Sequence, residues 1–347
     1  MIWRTHRWML LLGVVLFIVA LSIIKHYPTW IEEYYAGVFY PQVSNVNQWL
    51  WSRFDFSIGD LGYCTVLLFG LWSLRTFLFK KHFIHVLTLL GLTMVLFYTS
   101  WGIHYLKTPL REQRQLPKTL SEAQLIQSTT YYAQQLTTLH NKLAVSPDEK
   151  VLVDATPKKI LQLATEVMGT STLRPQNIKG KAKATLFPTL LSYMGFGGYV
   201  NPFTHEAQVN TLQPKLKIIT TACHEIAHQW GYSAEDEANY ISIKASTNTK
   251  NLLVAYAGNM LAFQYLTNAL YRHDAALAQK QYAAVPKGVL AHFKEVSDFW
   301  QQYQNPFEVV FEKSYDQYLK ANHQQGGIKS YSLVVDLLVD DVVNQEQ

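Results

Sequence analysis

Cysteine is nearly absent from this chain: there are two in 347 residues, Cys64 and Cys223. Cys64 falls in an apolar run and Cys223 directly precedes a histidine motif, so the two are not placed to meet, and a disulfide-stapled fold is excluded. No internal repeat and no low-complexity stretch interrupts the sequence. A dense basic block is missing as well. The net charge of +5 is spread along the chain, which argues against nucleic acid as a partner and leaves anionic lipid surfaces compatible.

Long apolar runs, by contrast, are concentrated at one end, so the near-zero mean hydropathy of the whole chain averages two unlike halves. Uninterrupted apolar stretches cover about 8–24, 61–79 and 83–101, each near the length that crosses a bilayer. Arg4 and Arg7 precede the first, and Arg75, Lys80 and Lys81 cluster at the tight turn between the second and third. Both places read as cytoplasmic by the positive-inside rule, so three crossings put the carboxyl-terminal part outside. Arg75 lies near the cytoplasmic end of its run, where a long side chain can snorkel to the interface. Between Lys25 and Gly59, charged residues mix with many Tyr and Trp, as in interfacial anchoring. A cleavable signal peptide competes for the first run at Ala20-Leu21-Ser22, but the apolar core continues to Ile24 and two more runs follow. The sequence therefore divides into a membrane region, 1–106, and an extracytoplasmic domain, 107–347.

Within the second region, His224-Glu225-Ile226-Ala227-His228 sets two imidazoles four residues apart, on one face of a helix, with a carboxylate beside them. Such a pair can hold one zinc ion, which acidifies a bound water, and Glu225 can take the proton. Leu216, Ile219, Cys223, Ile226, Ala227 and Trp230 recur at three- and four-residue steps, with Pro214 at the start and Gly231 at the end, so the motif lies on a half-buried helix. Cys223 belongs to the apolar stripe and reads as a small core residue.

A catalytic zinc needs a third protein ligand. In the HExxHxxGxxH pattern Gly231 fits, but Ala234 stands where the last histidine belongs. The alternative is a carboxylate on a following helix. Ser233 is placed to cap that helix with Asp236 in a capping-box position, which turns Asp236 away from a stripe of Ala234, Ala238, Ile241 and Ala245. Glu235 and Glu237 then flank the stripe on opposite sides, and periodicity does not choose between them.

Together, the HEIAH motif and Glu237-Ala238-Asn239 resemble the gluzincin pattern, in which a glutamate in Glu-Ala-Asp on the second helix is the third ligand. That resemblance implies His224, His228 and Glu237 as the zinc ligands, with Asn239 standing where gluzincins carry an aspartate. More widely, Phe56-Ser57-Ile58-Gly59-Asp60, Trp101-Gly102-Ile103-His104-Tyr105, the run from Asn201 to Asn210, HEIAHQWG and Gly327-Ile328-Lys329-Ser330-Tyr331 resemble a bacterial membrane-protein family known only as a domain of unknown function. The resemblance implies a membrane region followed by a zinc-peptidase-like domain.

The remainder of the domain reads as mainly helical, α+β in class, and the resemblance makes it zincin-like. Helix formers cover 120–143 and 158–167, glycines and β-branched residues between Lys179 and Asn210 suggest turns and short strands, and helices follow at 250–271, 288–303 and 306–323. By resemblance, Ala207–Asn210 is the candidate open strand along which an extended peptide pairs. His205 and Glu206 alternate to opposite strand faces and rank below Glu237 as ligands. Tyr331 is the candidate partner of the oxyanion. The expectation is a multi-pass zinc metallopeptidase of the bacterial cytoplasmic membrane, acting on an envelope peptide or protein. The competing expectation is a zinc-stabilised binding or sensor module without catalysis. Oligomeric state is not readable from these patterns.

Overall fold

The computed structural model describes residues 2–77, 83–117, 120–322, 324 and 333–345. The chain is mainly helical with one small sheet, α+β in class. It falls into two units: Met1–Thr108 with Asn201–Glu206, and Pro109–Val200 with Ala207–Gln347.

The first unit contains α1 (Ile2–Ile24), the single turn α2 (Pro28–Trp30), a π-helical stretch Ile31–Phe39, α3 (Tyr40–Trp51), α4 (Ile58–Phe77) and α5 (Phe83–Ser100). The stretch between Lys25 and Gly59, which the sequence reads as an aromatic loop, is thus largely helical. Helices α1 and α5 pack closely: a Cβ placed on Gly91 would lie 2.9 Å from both Val14 methyls. The short segment Asn201–Glu206 belongs to this unit although it is remote in sequence. Its Glu206 carboxylate accepts the amide hydrogens of Ile58 (3.2 Å) and Gly59 (2.6 Å), which would otherwise be orphaned at the start of α4.

Among the described residues no single helix is long and apolar enough to cross a bilayer. Trp8–Ile24 and Pro28–Trp51 reach that length and composition together, with a bend of 109° between them. Ile58–Leu71 and Val86–Ser100 are shorter apolar helices. The expected runs at 61–79 and 83–101 meet at residues 78–82, which lie outside the described residues.

The second unit holds α6 (Leu110–Gln113), α7 (Glu122–Leu143), α8 (Pro157–Thr170), β1 (Ala182–Ala184), α9 (Pro188–Tyr193), β2 (Gly198–Val200), β3 (Ala207–Val209), α10 (Lys215–Gln229), α11 (Glu235–Thr247), α12 (Leu252–His273), α13 (Ala275–Ala283), α14 (Lys287–Gln301), α15 (Glu308–Ala321) and α16 (Val334–Gln345). Local chemistry sets several starts. Ser121 Oγ accepts the Gln124 amide while Gln124 Oε1 accepts the Ser121 amide, a reciprocal capping box on α7. Thr156 caps α8, and Pro157 fills its first position.

At the centre, α10 packs on α8, α11, α12 and the sheet, and α12 packs on α7. Leu136, Ile160, Met168, Ile219, Ile226, Ile243 and Phe263 are fully buried between these layers. The final helix, α16, seats Leu337 and Leu338 in the core. Its Asp341 accepts hydrogen bonds from the Tyr240 hydroxyl and pairs with Lys244 at 2.7 Å and Arg114 at 3.1 Å.

In the sheet the order is β1-β3-β2, with β1 parallel and β2 antiparallel to β3. Ala207–Asn210 is expected as an open edge, but its residues Ala207–Val209 form the central strand. Both of its sides are occupied by backbone partners, which removes it as a template for an added peptide. The two outer strands are β1 and β2, and both pack on α10.

Candidate metal centre

Two features of the chain after His228 build the centre. Gly231 adopts φ 89°, a conformation that costs any residue with a Cβ. The Gly231 amide donates to the His228 carbonyl (2.9 Å) and the Tyr232 amide to that of Ala227 (3.2 Å), a Schellman termination that satisfies the last carbonyls of α10 and reverses the chain. The reversal brings the Tyr232 carbonyl to 2.6 Å from His228 Nδ1. With Nδ1–H donating to that carbonyl, Nε2 is the ring nitrogen turned toward Glu235.

The second feature is where α11 starts. Its N-cap is Ala234, with no side-chain cap, whereas the sequence places the cap at Ser233. Glu235 is then the first helical residue, and side chains in a helix lean toward its N-terminus, here back onto α10. Glu235 Oε2 lies 3.2 Å from His224 Nε2 and Oε1 lies 3.6 Å from His228 Nε2. One ligand atom from each of the three residues falls within 4.8 Å of the others. Zinc bonds of roughly 2.0–2.1 Å in a tetrahedron imply ligand separations of about 3.3–3.5 Å, so the spacing and the two-nitrogen, one-carboxylate donor set fit a zinc ion.

Among the described residues the structure brings Glu235, and not the expected Glu237, to the two histidines. Glu237 lies two residues further along α11 than Glu235, so its side chain is rotated by about two hundred degrees, and its Oε1 instead accepts the Leu110 amide at 2.6 Å. Asp236 also departs from expectation: it is buried, and burial together with Glu237 pushes its carboxyl up to about 7. Asn239 donates from Nδ2 to the Glu235 carbonyl at 2.8 Å, so it braces the backbone of Glu235 and not a histidine ring. Tyr331 lies outside the described residues.

Glu225 sits beside the histidines and is 4% exposed, with Oε2 making no hydrogen bond among the described residues. Burial pushes its carboxyl up to about 8, against the opposing pull of His228. Next to it runs β2: a Cβ on Gly198 would stand 2.8 Å from Glu225 Oε1, so only glycine lets the strand pass this close to the carboxylate. Burial also lowers His224, helped by the charge of His228. At His228 burial acts in the same direction, but Glu235 outweighs it and lifts the imidazole to about 9. The reciprocal effect holds Glu235 well below the usual carboxylate range in spite of its burial.

Two tyrosines complete the surroundings, and neither stands out in the sequence. Tyr315 on α15 donates its hydroxyl to Glu235 Oε1 and rests edge-on against Phe196, ring centroids 5.4 Å apart. Tyr265 on α12 keeps its proton, because burial and the charge of Glu235 both raise its phenol. No spacing rule links positions 265 and 315 to the HEIAH helix, and both lie on segments that read as packing. His205 and Glu206 are committed elsewhere, His205 stacked on Tyr40 at 5.3 Å and Glu206 on the amides of α4.

A family model described as a protein of unknown function (DUF3810) matches residues 35–339. The chain belongs to the DUF3810 family. No curated protein matches it, and no solved structure does. The matched span takes in α3 to α5 as well as the whole His224, His228, Glu235 cluster, so in this DUF3810 member the apolar helices and the histidine cluster fall within one family unit.

Proposed function

We propose that this DUF3810 protein is a membrane-anchored zinc metallopeptidase of the bacterial envelope, with His224, His228 and Glu235 as the ligands and Glu225 as the general base. The observation that carries the reading is the convergence of those three donors within 4.8 Å, beside a buried carboxylate with an uncommitted oxygen. Zinc held there supplies Lewis acidity toward a carbonyl and an acidified water. Glu225 takes a proton from the attacking water and returns it to the leaving amine. A carboxyl raised by burial keeps its affinity for that proton, which suits both halves of the task. Tyr315 holds Glu235 in orientation, and Tyr265 remains a protonated donor close to the same charge.

Substrate enters this reading as an extended peptide. The partner strand is β2, whose inner side pairs with β3 and whose first residue touches Glu225. An added strand would gain main-chain hydrogen bonds next to the general base. Membrane anchoring is supported by exposed apolar side chains along α1, α4 and α5, such as Leu16, Leu67 and Leu90, and the cationic residues near the first apolar runs support an extracytoplasmic second unit.

The test is Glu225→Gln in the full chain. Peptide cleavage should fall by about a thousandfold or more while zinc content is unchanged, since the amide cannot accept the proton. Equal activity in the variant would remove Glu225 from the mechanism.

A further inference from the structure

On α10, Lys217, Thr221, His224 and His228 fall at steps of four, three and four, which aligns them on one helix face. Lys217 is half-buried. Among the described residues its ammonium has no acidic partner and no hydrogen bond, although its charge reaches His224 and depresses that imidazole. A lysine held partly out of water normally pairs or is pushed toward neutrality; burial does lower this one below the usual lysine value. The loop that leads into β2 crosses the same helix face between Lys217 and the histidines. A Cβ on Gly197 would meet Thr221 side-chain atoms at 3.4 Å, and one on Gly198 would meet Glu225. A chain laid beside residues 197 and 198 would therefore run along α10 between the levels of Glu225 and Thr221, and Lys217 lies about one helical turn beyond Thr221.

We infer that Lys217 forms an anion-binding subsite that holds a carboxylate of the substrate and makes the enzyme prefer acidic peptides. The inference rests on the peptidase reading above. Seven helical residues separate Lys217 from His224, about 10 Å along the axis, and an extended peptide covers that distance in roughly three residues. The recognised carboxylate thus belongs about three residues from the scissile bond, either as an Asp or Glu side chain or as the free carboxyl terminus of a short peptide.

The experiment uses a fluorogenic peptide series in which one glutamate is walked through every position, each matched by its glutamine counterpart, and in which a free carboxyl terminus is matched by the amide. Cleavage is measured with the full-length protein, and binding of the same peptides by anisotropy on zinc-loaded Glu225→Gln. At one position glutamate should raise kcat/KM and tighten Kd by about tenfold or more over glutamine, the scale of a charge-assisted hydrogen bond. Lys217→Met should erase that preference, read as the ratio of each acidic peptide to its neutral counterpart, and Lys217→Arg should retain it. A side-chain source shows as an internal peak, a terminal source as sensitivity to amidation alone. Equal handling of every acidic and neutral pair by the unmodified protein, or a Lys217→Met variant that keeps the preference, would overturn the subsite. Absence of cleavage for all peptides, with selective binding of the acidic ones intact, would instead overturn the peptidase reading and leave the subsite standing.

Discussion

Polarity is distributed in opposite ways in the two units. Along α4, Val66, Leu67, Leu68 and Phe69 are 57–70% exposed, while in the second unit Glu225, Glu235, Asp236 and Glu237 are at most 6% exposed. Burying a carboxylate costs free energy unless something pairs with it, and leaving a row of large apolar side chains open is costly in water. The first arrangement makes sense if the surroundings of α4 are themselves apolar. The second makes sense if a cation belongs among the acids and histidines. On the proposed reading each unit takes a component beyond the polypeptide, lipid for one and a metal for the other.

Breaking the first half of this comparison should give the larger effect. Leu68→Asp puts a charge on the exposed face of α4; if that face meets lipid the cost is roughly 3 kcal/mol near the centre of a bilayer. Fractionation of cells expressing the full chain should show a loss of membrane-integrated protein. Unchanged integration would mean that α4 faces water, where such a surface substitution has little effect.

In the second unit, Gly198→Ala sharpens the claim that β2 is fitted against the general base. The new methyl would stand 2.8 Å from Glu225 Oε1 and 2.6 Å from the Gln208 carbonyl, and overpacking of this kind costs about 1–3 kcal/mol. Peptidase activity should drop more steeply than thermal stability, because the displaced group is the proposed base. An active variant with normal stability would show that strand and carboxylate are not coupled.

How much of this was readable beforehand varies by residue. His224, Glu225 and His228 follow from spacing alone, since an i, i+4 pair on a helix must share a face. Glu235 does not, because choosing it over Glu237 depends on whether α11 begins after Ser233 or after Ala234, a shift of one residue that capping propensities do not resolve. Tyr265 and Tyr315 were invisible for a different reason: they reach the centre only through the packing of α12 and α15, which no local pattern encodes. Similarly, the glycine-rich run at 195–200 announced short strands, but strand order is a non-local property, and the central place of β3 emerged only with its two partners.

A smaller effect is expected at the turn that brings the ligands together. Gly231→Ala forces a Cβ into φ 89°, at a cost of about 1–2 kcal/mol. Calorimetry should show a lower Tm, and zinc affinity should fall with it, since the same turn positions Glu235. A fall in Tm with zinc affinity intact would separate the turn from the metal centre.

The central claim is the identity of the third ligand, and zinc stoichiometry of purified full-length protein tests it most directly. Elemental analysis should find close to one zinc per chain, and Glu235→Ala should lower the affinity by more than about a hundredfold, beyond the loss typical for a group that only orients a ligand. Glu237→Ala should keep its zinc. A folded wild-type protein without stoichiometric metal would contradict the account, as would loss of zinc in Glu237→Ala with retention in Glu235→Ala.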